Sequence, residues 1–328
     1  MSIGRWPLIT TEDARAKAVT MLRECRAGNM PSRPKPLHLP SLAEMLPVYA
    51  KAKSIKASSA TRYEQVLRIH FRDWQARPIS DLTSSEFSKH CQTFVMISGS
   101  GVVSLGRGLI GAMFKYANAI YNLNLVSPFK CMSAAGLMPL PPVPRVRKLQ
   151  VGQLQNWCVA VNRLPEKQRD FLMLLAFTGF RRGEAGSIHM SHVDFPSGVL
   201  HVPETKTGQP HSLPITPVLK DILQRRLDAV SLSGMLFEGV ALDHLSDMAV
   251  RVGAPSFMLH DLRKLLATTG QLLGIDDATL RRILNHKAKS GDTLHRHYVS
   301  ISAEDIVEPL TQIQNQLVHH MSVGKFNR

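Results

Sequence analysis

Two proline-dense stretches decide how this chain can be divided. Pro31, Pro34, Pro36 and Pro40 crowd one, and Pro139, Pro141, Pro142 and Pro144 crowd the other. Proline locks φ and removes a backbone donor, so neither stretch can lie inside a helix or a central strand. Regular structure must stop before each and start again after it. The chain therefore reads as an N-terminal piece over residues 1–38, a unit over 39–133, a linker over 134–148 and a larger unit over 149–328. A length of 328 residues suits two domains with a small appendage.

The pieces differ in period. Thr11–Ala27 predicts a helix, with Glu12 and Asp13 in its first turn and Gly28 as its stop. In the first unit Ser41 is placed to cap a helix with Leu42, Met45, Leu46 and Tyr49 at helical spacing. Ser58 and Ser59 precede a second, whose apolar face is Tyr63, Val66, Leu67 and Phe71. Ser84 and Ser85 open a third, and Leu109–Leu123 reads as a fourth. No strand pattern interrupts them, so this unit is expected to be all-α.

Beyond the linker, Val151–Val161 and Lys167–Phe177 read as helices. Three short β-prone pieces follow: His192–Phe195, Val199–Val202 and Ser212–Ile215. Pro196-Ser-Gly198 and Thr207-Gly208 mark the turns between them. Helices then resume, and Pro309 suits the first turn of a last one striped by Leu310, Ile313 and Leu317. The fold class expected is mainly α, an all-α domain followed by a mostly α domain with one small antiparallel sheet.

Charge narrows the partner. Forty Lys and Arg against 25 Asp and Glu give a formal +15. Such a field favours polyanions, of which nucleic acid is the commonest, although ribosomal and membrane-surface proteins share it. Lys56, Arg62, Arg68, Arg107 and Lys115 supply this charge in the first unit, and Arg145, Arg147 and Lys148 end the linker, where they can track a phosphate backbone. Cys25, Cys91, Cys131 and Cys158 are too scattered for a zinc knuckle or a redox pair. No apolar run approaches the roughly 20 residues that span a bilayer. Arg5, Pro7, Glu12 and Asp13 interrupt any signal-peptide core, so a cytoplasmic protein is expected.

Several residues suit phosphate chemistry, each with a bland alternative. Arg181 follows Thr178-Gly179 at the end of an apolar helix, and Glu184 near the next helix start can brace its guanidinium. Arginine pairs at helix starts are also ordinary solvated surface. Lys206 lies in a Lys-Thr-Gly turn between two β-prone pieces, where a hairpin tip could enter a DNA groove; surface hairpins with lysine tips are common. His260 and Arg263, spaced i and i+3, share a helix face. Leu259, Leu262, Leu265 and Leu266 account for the core-facing side without that polar pair. His286 follows the predicted helix Asp277–Leu284 at the end that favours a cation. Tyr298 stands in a polar segment; its hydroxyl is a weak nucleophile at a pKa of about 10 unless cations favour the phenolate.

The order Arg181, Lys206, His260-x-x-Arg263, His286, Tyr298 resembles the tyrosine recombinase (phage integrase) family, over essentially the whole chain. The resemblance implies a core-type DNA-binding domain, a basic linker and a catalytic domain. It implies that Tyr298 attacks a scissile phosphate to form a 3′-phosphotyrosyl link. Arg181 and Arg263 then neutralise the phosphate oxygens, Lys206 protonates the departing 5′ oxygen, His260 assists proton transfer, and His286 holds an oxygen or orients its neighbours. Glu184 supports the site, with no metal, ATP or other cofactor. Implied partners are double-stranded attachment sites, a tetramer on DNA in which the C-terminal helix passes to a neighbour (the alternative is packing in cis), and an accessory directionality or DNA-bending protein. The implied place of action is the bacterial nucleoid. A type IB topoisomerase-like enzyme and a binding-only relative are the alternatives; the former would relax supercoils without defined sites.

Two departures from the family pattern stand out. Lys287-Ala-Lys289-Ser-Gly291 lengthens the stretch between His286 and Tyr298. Gly4-Arg-Trp6-Pro7-Leu-Ile-Thr10 and the helix after it resemble the end of an arm-DNA-binding domain whose preceding strands are missing, which predicts weak or absent arm-site recognition.

Overall fold

The structure is a computed structural model that describes residues 9–28, 39–139, 149–203, 205, 208–286 and 301–322. It separates into two compact units, Met1–Pro144 and Arg145–Arg328. The architecture is mainly helical with one three-stranded antiparallel sheet.

In the first unit α1 (Thr11–Arg26) starts where the Thr10 hydroxyl accepts the Asp13 N–H at 3.1 Å, and it buries no residue. Helix α2 (Leu42–Ala52) opens on a reciprocal cap. The Ser41 N–H donates to the Glu44 carboxylate at 2.8 Å, and the Glu44 N–H donates to Ser41 Oγ at 3.3 Å. Helix α3 runs Ala57–His70, so Ser58 and Ser59 lie inside its first turn; Lys56, in extended backbone, takes the cap position expected of them. Helix α4 (Ser85–Ile97) follows the Ser84 cap as expected.

Helix α5 spans Ser100–Tyr121, nine residues earlier at its start than the apolar stripe predicted. Its glycines hid the extension, because glycine disfavours helix interiors. At Gly106 packing overrides propensity: a Cβ there would stand 2.8 Å from the Phe94 ring. Helix α6 (Pro128–Ala134) completes the unit. Phe71 is the hub of its core, 5.0 Å from the Phe94 ring and 6.5 Å from Phe129.

The second unit holds α7 (Leu154–Val161) and is built on α8 (Glu166–Thr178), which packs directly against α10 (Pro217–Asp228) and α12 (Leu259–Leu272). A buried ion network joins α8 to α10: fully buried Asp170 pairs with Arg225 at 3.0 Å and with buried Arg226 at 2.9 Å. The remaining α-helices among the described residues are α9 (Arg182–Gly186), α11 (Leu245–Arg251), α13 (Asp277–Ile283) and α14 (Val307–Ser322). Helix α14 packs in cis on α7 and α12, burying Leu310, Ile313 and Leu317, and its buried Gln314 donates to Phe177 O at 2.9 Å.

The sheet pairs β1 (Val193–Asp194) with β2 (Val199–Val202), and β2 with β3 (His211–Pro214). Strand β2 matches its expected bounds, whereas β3 starts one residue early. Leu200 faces Leu213 and Val202 faces His211, so the period-2 alternation carries His211 onto the buried face. Among the described residues no helix is long and apolar enough to cross a membrane.

Candidate active site

The end of α8 is shaped by Gly179, whose φ of +64° ends the helix in the left-handed region. A Cβ there would stand 2.8 Å from Leu284 and 3.6 Å from Leu266. Glycine thus serves both the turn and the close approach of α12 and α13. Thr178 supports the same turn: its Oγ1 donates to Leu174 O at 2.7 Å and accepts the Phe180 N–H at 3.2 Å. The chain leaves this corner at Arg181, the residue before α9.

Arg181 and Glu184 form a closed pair. Arg181 Nη1 donates to Glu184 Oε1 at 2.8 Å, and the Arg181 backbone N–H donates to Oε2 at 3.0 Å. Burial raises the Glu184 carboxyl pKa, but the two bonds from Arg181 and that residue's charge outweigh it and hold it below the ordinary range.

Arg263 ties the corner together. It is buried, its Nη1 donates to Gly179 O at 2.6 Å, and its Nη2 donates to Leu284 O. The expectation that leucines alone make the core-facing side of α12 is corrected here. Arg263 and Asp261 are both buried, because carbonyls at the ends of α8 and α13 converge on the guanidinium, and the Asp261 carboxylate accepts the Met258 N–H at 2.9 Å. Burial first, then the Arg181 charge, lowers the Arg263 pKa to about 10, with Glu184 opposing. It stays charged at neutral pH. Five guanidinium N–H groups less the two spent on carbonyls leave donors for a ligand.

His260 precedes Arg263 by one turn, and His286 follows α13. Both are open to solvent on one side, and both have pKa values lowered by partial desolvation and then by the Arg263 charge; Arg181 contributes to each. Neutral imidazoles beside fixed cations can accept as well as donate protons. The corner therefore gathers Arg181, Glu184, His260, Arg263 and His286, and presents two cations and two neutral imidazoles to an anion. Lys206 and Tyr298 lie outside the described residues, as do Arg145, Arg147 and Lys148. On either side of Lys206, the Gly208 N–H donates to Thr205 O at 3.1 Å.

Residues 144–304 match the model of the phage integrase family. Those residues form a phage integrase domain. The match takes in the corner and the positions of Lys206 and Tyr298. Two curated relatives are tyrosine recombinases by name or prophage integrases by name. Tyrosine recombinase XerA of Saccharolobus solfataricus is 28% identical over 167 residues, covering 48% of this chain and 56% of that protein. Prophage integrase IntF of Escherichia coli is 24% identical over 206 residues, covering 58% of this chain and 44% of that protein. The chain thus spans about half the length of the curated relatives it matches.

Solved integrases share the fold. A lambda integrase tetramer bound to a Holliday junction aligns with a TM-score of 0.58 at 18% identity, covering 89% of this chain and 90% of that one. The Tn1549 transposon integrase in complex with a circular intermediate DNA aligns at 0.61 with 14% identity, covering 83% and 99%.

The basic residues expected to bind DNA in the first unit are all exposed, and three of them line one of two clefts. Arg68 lines a cleft between α2 and α3. Arg107 and Lys115 line a groove of about 890 Å³ between α5 and α6, with Ser104, Asn118 and Lys130. Gly108 and Gly111 leave that wall open, with nothing within 4 Å of a Cβ. Lys130 was missed from sequence because α6 was not expected. His211 and Arg282 were also missed. The alternation back from Leu213 was the available signal for His211, whereas nothing local marks Arg282.

Proposed function

We propose that this chain is a site-specific DNA recombinase that integrates or excises a mobile element. The observation that carries this reading is the convergence of Arg181, His260 and His286 around buried Arg263. Fixed cations aimed at one point stabilise the charge that builds on a phosphate during displacement.

In this reading Tyr298 Oη bonds to phosphorus as the bond to the 5′ oxygen breaks, and Lys206 gives that oxygen a proton. The phosphotyrosyl link conserves the bond for religation by a second 5′ hydroxyl. His260 assists the proton transfers, its lowered pKa keeping the imidazole neutral at pH 7 and so free to accept a proton. Arg181 and Arg263 neutralise the non-bridging oxygens, His286 holds one of them, and Glu184 keeps the Arg181 fork in place. These groups supply nucleophile, acid, base and oxyanion partners, so the proposed reaction needs neither metal nor ATP.

The first unit is assigned as the core-type DNA-binding domain, with Lys56, Arg62, Arg68, Arg107 and Lys115 on phosphates. Arg145, Arg147 and Lys148 follow the duplex between the units. The proposed partner is a duplex attachment site, with the chain assembled as a tetramer on it at the nucleoid and assisted by a directionality or DNA-bending protein. Passing α14 to a neighbour uncovers Leu310, Ile313 and Leu317, so that exchange belongs to assembly on DNA.

The test is a nicked suicide substrate carrying the candidate attachment site. The native chain traps a covalent protein–DNA adduct with EDTA present and no nucleotide, and Tyr298→Phe traps none. An adduct with Tyr298→Phe overturns the nucleophile. Relaxation of a supercoiled plasmid lacking the site indicates a topoisomerase instead.

A further inference from the structure

The strand that leaves the Lys206 turn is strapped to α13, the helix that leads into His286. From α13, Arg282 reaches across to β3, where Nη1 donates to Ser212 O at 3.0 Å and Nη2 to Ser212 Oγ at 3.3 Å. Its Nε donates to Ile301 O at 2.8 Å, which pins the guanidinium from its other edge. Two further bonds run between the same segments. The His211 ring Nε2 meets Ile283 O at 3.1 Å, and Asn285 Nδ2 donates to Gln209 O at 3.4 Å. Asn285 holds a φ of +47°, which keeps its amide at this crossing.

A planar guanidinium with three acceptors on two other segments fixes direction as well as distance. An apolar side chain at this position could fill the same space, but it would leave β3 free to slide along α13. Ser212 follows Lys206 by six residues and Asn285 adjoins His286. The strap therefore sets the base of the lysine turn against the end of the helix that delivers His286.

We propose that Arg282 is a positioning residue for strand cleavage, acting through Lys206, with Asn285 as the second strap. This rests on the reading of Lys206 as the acid that protonates the 5′ oxygen. In the normal substrate the P–O bond breaks and the departing alkoxide takes the Lys206 proton. When sulfur replaces that bridging oxygen, attack by Tyr298 breaks a P–S bond and the electron pair leaves as a thiolate, which needs no proton. Loss of the acid, or of its placement, is then repaired by the substrate.

The experiment compares suicide substrates with oxygen and with sulfur at the 5′ bridging position. Native chain, Lys206→Ala, Arg282→Met, Arg282→Lys and Asn285→Gly are assayed by single-turnover adduct formation. Arg282→Met slows cleavage of the oxygen substrate on the order of 10–100-fold, less than the roughly 10²–10⁴-fold of losing a general acid outright, and cleaves the sulfur substrate at close to the native rate. Lys206→Ala shows the same pattern, and Arg282→Lys recovers part of the oxygen rate. Asn285→Gly suits the positive φ and removes one bond, so it shows the pattern more weakly and carries the test if Arg282→Met does not fold. Equal slowing of Arg282→Met and Asn285→Gly on both substrates overturns the proposal, as does a native oxygen rate in both. If Lys206→Ala gains nothing from sulfur, the acid assignment fails and takes this proposal with it. If the native chain forms no adduct with either substrate, the recombinase reading itself fails.

Discussion

Arg181 and Glu184 hold each other by two bonds, one to the arginine fork at 2.8 Å and one to its backbone N–H at 3.0 Å. A single buried carboxylate so fixes both the chain path out of α8 and the direction of a half-buried cation. Glu184→Ala should cost about 1–3 kcal/mol of stability, the range for orphaning a charged hydrogen-bonded group, and should slow cleavage more than it weakens DNA binding. Urea unfolding and single-turnover cleavage check both. Unchanged cleavage would show that the Arg181 fork needs no brace.

Arg263 spends two of its N–H groups on Gly179 O and Leu284 O, carbonyls from helices far apart in sequence. A lysine keeps the charge but cannot hold both carbonyls and a phosphate. Arg263→Lys is expected to lower the cleavage rate by about 100-fold, the scale of losing a preorganised oxyanion partner, with DNA affinity little changed. Gel-shift titration beside adduct formation separates the two effects.

Gly179 meets a steric demand and a conformational one at the same corner. Gly179→Ala should destabilise the second unit by about 2–5 kcal/mol, summing the left-handed penalty and an overpacked contact. Denaturant midpoints at constant m-value would measure this.

His211 links stability to pH. Burial first, then the Arg282 charge, lowers its pKa from 6.5 to about 4, against the bond to Ile283 O. Glu184 opposes that shift and Arg263 adds to it. The imidazole is thus neutral at pH 7, with Nε2 donating to Ile283 O and Nδ1 facing Arg282 Nη1 at 3.4 Å. Because the folded pKa lies below the unfolded one, the unfolded chain binds the extra proton. The contribution is full above pH 6.5 and is lost as pH falls toward 4, up to about 3 kcal/mol over that window. Urea midpoints at pH 7 and pH 5 should diverge less in His211→Phe than in the native chain.

The groove between α5 and α6 invites a salt titration. If Arg107, Lys115 and Lys130 each neutralise one phosphate, every single alanine variant should reduce the slope of log K against log salt by about 0.9. Slopes unchanged in all three would remove the groove from the DNA interface.

Much of the helical scaffold is legible locally. The Ser41 cap with Glu44 three residues on, the Ser84 cap, and the apolar stripe of α14 are short-range signals that their helices obey. Packing decided the exceptions: α5 extends through its glycines because the Phe94 ring needs the space at Gly106, and β3 begins at His211 because Leu213 pairs opposite Leu200.

The kinds of side chain available for phosphate chemistry, and their order, stand in the residues themselves, since a guanidinium or imidazole has its donors wherever it is placed. Which cation goes inside does not. Arg263 is buried because Gly179 O and Leu284 O, 84 and 21 residues from it, both arrive at its fork. Arg282 is committed to Ser212 and Ile301 in the same way. A buried charge is stable only where distant acceptors converge on it, and no local period encodes that convergence.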